Sequence, residues 1–245
     1  MKKGTKRSIN FQDLMLNRIH EILLVASPYD AFILEEDGRL TQQILYEYLG
    51  MNLSYAPRVW HAKSAKNGLK MLAERSYDLV IVMMRITDMD PITFGENVKK
   101  NYPDKPIILL AFDESEISTL PQKSLKKTID KVYIWTGNAN VFPAIIKNVE
   151  DSMNIERDFK IADIRSIVMV EDNPRFYSII LPLIYRTALK HTRSLIVEVF
   201  QIRTDYCSFE LDLRFYWRHP MRKQKTFIKN TETIYLVSYL TFNFH

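Results

Sequence analysis

Cysteine is nearly missing: Cys207 stands alone in 245 residues. That excludes an internal disulfide framework and fits a reducing compartment. Glycine is scarce as well, with 6 residues, and no glycine-rich loop of the kind that cradles phosphates occurs. No phosphorylated-histidine motif is found either. No apolar run reaches the length needed to span a bilayer. The basic lead-in MKKGTKRSIN is not followed by the apolar core of a secretory signal, so the expected location is the cytoplasm and no membrane partner is expected. Acids are absent from residues 1–10, which carry four basic groups, while residues 198–245 carry seven Lys/Arg against five Asp/Glu. Of the net charge of +5, these two ends hold +4 and +2 and leave −1 for residues 11–197. The basic balance therefore sits at the ends, and the central body offers no phosphate-binding stripe, so a nucleic-acid partner is not expected. What remains is 47% hydrophobic and 26% charged. That is ordinary for a soluble globular chain with room for one large or two small domains.

The chain then alternates between two periodicities. A short helical pattern, FQDLMLNRIHE, leads into an apolar strand, roughly Glu21 to Ala26. Helical spacing follows through Ile33, Leu40, Ile44, Leu45, Tyr48 and Leu49, interrupted at Asp37-Gly38. RVWHAKS is a second strand and AKNGLKMLAERS a short amphipathic helix. YDLVIVMM is a continuous apolar run, the pattern of a strand covered on both faces. PITFGENVKKNYP is a helix, KPIILLAF a fourth strand, LPQKSLKKTI a weak helix, DKVYIWT a fifth strand, and NVFPAIIKNVEDSMNIERDF a closing helix. Five strand–helix repeats predict an α/β fold, a doubly wound five-stranded parallel sheet. The pattern then restarts. A strand from Ile167 to Val170 runs into Glu171-Asp172, and a helix opens near Pro174. That helix, to about Val197, is expected to expose Phe176, Ile179, Ile180, Leu183, Ile184 and Leu189. The expected organisation is a basic lead-in and helix over 1–17, a first domain over 18–155, the start of a second over 163–197, and an atypical tail over 198–245.

The segment YDLVIVMMRITDMDP, with Arg85, Asp88, Met89 and Asp90 in place, resembles the response-regulator receiver family, whose pattern there is a strand, an acceptor Asp and a loop R-x-P-D-M-D-G. Thr87 and Pro91 depart from it. The likeness covers roughly residues 18–155 and again 163–197. It implies a flavodoxin-like strand order with the site at the carboxyl ends of the strands. Receiver chemistry needs two carboxylates after the first strand to hold a divalent metal, an acceptor carboxylate, a hydroxyl after the fourth strand and a lysine after the fifth. The matching positions here hold Ala26 and Ser27, then Met83, then Ala111, then Trp135. A thioether is no oxygen nucleophile, so the resemblance implies a receiver that has lost its reaction, with Met83 and Trp135 packed where metal and phosphate would sit. Asp30, Glu35, Asp88 and Asp90 read as helix-start and loop carboxylates rather than substitute ligands. In the second unit, Glu171 and Asp172 follow the strand as an acidic pair, which matches a metal-binding corner. Magnesium would bind there only if the site were completed by an acceptor strand.

FQDLM…RIHEILLVASPYDAFILEEDGRL and VEDNPRFYSIILPL also resemble the N-terminal region of proteins related to phosphoenolpyruvate synthase and pyruvate phosphate dikinase. No segment matches the catalytic modules of those enzymes. After Glu198 the chain loses clear periodicity and turn signals. Synonymous codons can be chosen so that a second frame yields KILLATPYEEA, an echo of EILLVASPYDA, and GIISDV, a strand ending in an aspartate. A frameshift is therefore the expected origin of the tail. The expected function is a non-catalytic, receiver-like regulatory or interaction module with no cofactor of its own. It would be a truncated N-terminal part of a phosphoenolpyruvate-utilising protein, with protein partners or the rest of a larger chain. The alternative is a phosphoacceptor response regulator or a fragment of such an enzyme.

Overall fold

In the computed structural model, the structure describes residues 16–37, 39–50, 56–161, 166–169, 171–187, 214–217 and 234–236. Its elements are β1 (Glu21–Val25), α1 (Pro28–Phe32), a π-helical turn (Ile33–Asp37), α2 (Leu40–Gly50), β2 (Arg58–Ala62), α3 (Ala65–Glu74), β3 (Leu79–Met83) and α4 (Pro91–Asn101). They continue with β4 (Ile107–Ala111), α5 (Glu114–Ser118), α6 (Gln122–Thr128), β5 (Lys131–Ile134), α7 (Val141–Ile161) and β6 (Ser166–Met169). A helix over 174–187, here α8, precedes β7 (Arg214–Trp217) and β8 (Ile234–Leu236).

β1 to β5 form one sheet in the order β2-β1-β3-β4-β5, and every pair in it is parallel. This is the doubly wound arrangement expected from the sequence. All five residues of β3 and of β4 are buried, as apolar strands covered on both faces must be. Alternate residues point to opposite faces. Leu23, Val25, Val80, Val82, Leu109 and Ile134 pack with Leu72, Phe94, Val98 and Leu125 from α3, α4 and α6.

Local sequence sets the helix starts. Ser27, Ser64, Asp90 and Asp113 cap α1, α3, α4 and α5, each accepting from a backbone N–H of the first turn. Two elements differ from the sequence reading. Residues 16–20 are not helical, because their backbone is drawn to distant side chains. The Asn17 N–H donates to Asn154 Oδ1, and the N–H groups of His20 and Glu21 donate to Asp78 Oδ2. The helix expected after the second strand's predecessor is split into α1, the π-turn and α2, with Arg39 at φ 45° between them.

The chain divides into two compact units. One comprises residues 19–146 together with 172–184 and contains the five-stranded sheet. The other contains β6, β7 and β8, a parallel sheet in the order β7-β6-β8. Taken by chain order, that is second-first-third, the same order as β2-β1-β3. Most of the 198–245 tail, and Leu189, lie outside the described residues.

Candidate functional site at the strand carboxyl ends

The strand order sets the carboxyl ends of β1, β3, β4 and β5 side by side. At those ends stand Ala26, Met83, Ala111 and Trp135. The ladder extends to these positions: the Ala26 N–H donates to the Ala62 carbonyl, Met84 to Leu110 and Trp135 to Ala111, at 3.1, 3.2 and 2.7 Å. Ala26, Met83 and Ala111 have no exposed surface and Trp135 is 6% exposed. The Trp135 ring lies against Phe142, with centroids 5.7 Å apart and planes at 52°. The ring partner of Trp135 is thus a residue of α7.

Polar groups near these ends are engaged with the protein itself. His61 Nε2 donates to the Ala26 carbonyl oxygen at 3.0 Å. The Ser27 hydroxyl accepts from the Asp30 N–H at 3.1 Å and so serves α1 as its cap. Arg85 donates through Nε to Glu116 Oε1 at 2.8 Å and pairs with the same oxygen through its terminal nitrogen at 2.7 Å. Glu116 Oε2 in turn accepts from the Phe112 N–H at 3.0 Å, and the Arg85 guanidinium lies 5.6 Å from the centre of the Phe112 ring.

The four carboxylates weighed as substitute ligands separate into two groups. Asp88 accepts from the N–H groups of Ala65 and Lys66 at 2.7 and 2.9 Å, and Asp90 from those of Ile92 and Thr93 at 3.0 and 2.9 Å. Burial opposes the charge on both, yet these hydrogen bonds outweigh it and hold both carboxyls below the ordinary range. Glu35 accepts from the Thr41 hydroxyl. Asp30 differs: it is 1% exposed, and its Oδ2 has no hydrogen-bond partner among the described residues. Burial pushes its carboxyl up, against the pull of the Ser27 hydroxyl and the Arg85 charge, with Glu116 adding to the rise.

Solved structures similar to this chain include receiver domains. One is the signal receiver domain of an HD domain-containing protein from Pseudomonas fluorescens Pf-5, at 23% identity over 58% of this chain and 95% of that one, with a TM-score of 0.40. A CheY-like response regulator receiver domain protein from Methanospirillum hungatei JF-1 is 21% identical over 56% of this chain and 98% of that one, with a TM-score of 0.43. The signal receiver domain of a signal transduction histidine kinase from Syntrophus aciditrophicus is 22% identical over 54% and 91%, with a TM-score of 0.40. No family model matches the sequence, and no curated protein matches it. The fold assignment rests on the strand order and register of this chain.

A receiver's magnesium requires hard oxygen ligands. At the first-domain positions Met83 offers a thioether, Ala26 only a carbonyl already engaged by His61, and Ser27 a hydroxyl already used as a cap. These residues do not fit the ion. Glu171 and Asp172 stand between β6 and α8 in the chain, with Asp172 exposed and Asn173 accepting from the Arg175 and Phe176 N–H groups at the helix start. Among the described residues no three His, Cys, Asp or Glu side chains are grouped to hold a metal. Among the described residues no helix is long and apolar enough to cross a membrane.

Glu116 is the functional-site residue that sequence reasoning missed. Its signal was present: Asp113 followed three residues later by Glu116 is a capping-box spacing, and it marks the start of α5.

Proposed function

We propose that the chain is a receiver-like regulatory or interaction module in which packing replaces phosphotransfer. The observation that carries this reading is the set of strand ends. Ala26, Met83, Ala111 and Trp135 are buried side by side where the reaction would need oxygen ligands, a nucleophile, a hydroxyl and a cation. Such a module acts through what it binds, so its partners are other proteins or further parts of a larger chain. The narrower assignment to phosphoenolpyruvate-utilising proteins rests on two sequence segments alone, and the comparisons lend it no support. A second reading, a phosphoacceptor, is favoured by one observation: Glu171 and Asp172 follow, after one intervening residue, β6, the central strand of a sheet ordered like the start of a receiver.

The test is incubation with a small phosphodonor and magnesium, followed by peptide mass mapping. No phosphoryl group is expected on any residue between Phe11 and Asp158. A base-labile phosphoaspartate in that region overturns the proposal, and one beyond residue 198 supports the second reading.

A further inference from the structure

β5 is the last strand of its sheet, so one side of it has no strand neighbour. Successive residues of a strand direct their backbone groups to opposite sides, and the Trp135 N–H points inward to Ala111. Val132 and Ile134 therefore turn their backbone groups outward. An exposed pair of that kind is what an added strand would use. Here side chains of a distant helix take it. The Tyr177 hydroxyl donates to the Val132 carbonyl, and the Ile134 N–H donates to Ser178 Oγ at 2.9 Å. The Tyr177 ring meets Tyr133 edge-on, with centroids 5.4 Å apart and planes at 87°. The Lys131 ammonium lies 5.4 and 5.2 Å from the same two rings. Tyr177, Ser178 and Leu181 are all buried.

We propose that residues 172–184 form a strap that lifts from the outer edge of β5 as one piece while the rest of the sheet stays folded. Three observations support local release. The strap holds the backbone of the edge through side chains, Tyr177 at the Val132 carbonyl and Ser178 at the Ile134 N–H, against continuous backbone ladders between the other strands. It belongs to the sheet's compact unit but is separated from it in the chain by residues 147–171. Its outer side is also apolar: Phe176, Ile179 and Leu183, at i, i+3 and i+7, are 54%, 44% and 59% exposed. The helical pattern thus does not commit one face alone to β5. When the strap lifts, the Val132 carbonyl and the Ile134 N–H are freed together, and β5 becomes an edge competent for strand pairing.

Amide hydrogen exchange on the full chain tests this. The Ile134 amide and the strap amides are expected to be at least about 100-fold less protected than those of Leu23, Val82 and Leu109, the mark of a sub-global opening. Ser178→Ala is expected to speed Ile134 exchange a further ten-fold or so, leaving the β1, β3 and β4 amides unchanged, and Ser178→Thr, which keeps the hydroxyl, to restore it. Tyr177→Phe, which keeps the ring, provides an independent reading through the strap amides should Ser178→Ala fail to fold. Ile134 protected as strongly as the core strands, with both variants shifting every amide together, would overturn the strap. The segment would then unfold only with the sheet.

Discussion

Met83 has no exposed surface and sits in register with Leu110. A carboxylate there would be taken from water without a counter-ion, so Met83→Asp is expected to cost about 1–3 kcal/mol of stability. The denaturation midpoint reads this directly. Unchanged stability with magnesium binding gained would mean an open crevice and would sink the packing reading. The burial of positions 26, 83, 111 and 135 at strand ends was legible in the sequence because each closes an apolar run of strand character. Asp30 was not legible in the same way. Three residues after a cap, it looks like any first-turn acid, and its burial follows from the surroundings the fold provides. Asp88 and Asp90 were read as loop and helix-start carboxylates, and both serve helix N-termini, Asp88 from a loop beyond β3.

The elements teach a similar lesson through α3. Its amphipathic spacing predicts the helix, and a glycine inside it reads only as a helix penalty of about 1 kcal/mol relative to alanine. The structure supplies the reason for Gly68. A Cβ there would stand 3.0 Å from Val25 Cγ2 and 3.3 Å from Phe94 Cε2, where α3 crosses β1 and α4. Overpacking at such a contact costs about 1–3 kcal/mol, which outweighs the gain in propensity. Gly68→Ala is therefore expected to lower stability by roughly 1 kcal/mol, as measured by chemical denaturation, and an increase would show that the neighbours yield freely. The short α5 was missed because five residues give too little periodicity to detect. The break near Asp37-Gly38 was legible as an interruption, but the sequence carries no sign of the π-helical turn before it.

For the whole molecule, the five-stranded parallel sheet was legible because strand–helix alternation leaves few arrangements, and its strand order was expected from the receiver resemblance. The extent of the folded unit was harder to read. The helix at 174 reads as the second unit's own, since it follows that unit's first strand. Its expected exposed face proves divided: Phe176, Ile179 and Leu183 are exposed, Ile180 and Ile184 are half-buried, and the buried positions are Tyr177, Ser178, Leu181 and Tyr185. Helical spacing alone cannot say which of two apolar stripes meets a sheet. A chain ending at residue 161 is therefore expected to be less stable than one ending at 187. The loss is about 2–4 kcal/mol, from the buried Tyr177 and Leu181 and the two bonds to β5. Equal denaturation midpoints for the two chains would remove residues 172–184 from the first unit.

The distance between Ile134 and Ser178 along the chain, 44 residues, also sets a time. During synthesis at 5–20 residues per second, the strap follows β5 by roughly 2–9 s. For that interval a nascent sheet emerging from the ribosome has its last strand bare. On a crowded polysome the neighbouring nascent chains present the same bare strand, so pairing between siblings competes with a closure that has not yet been made.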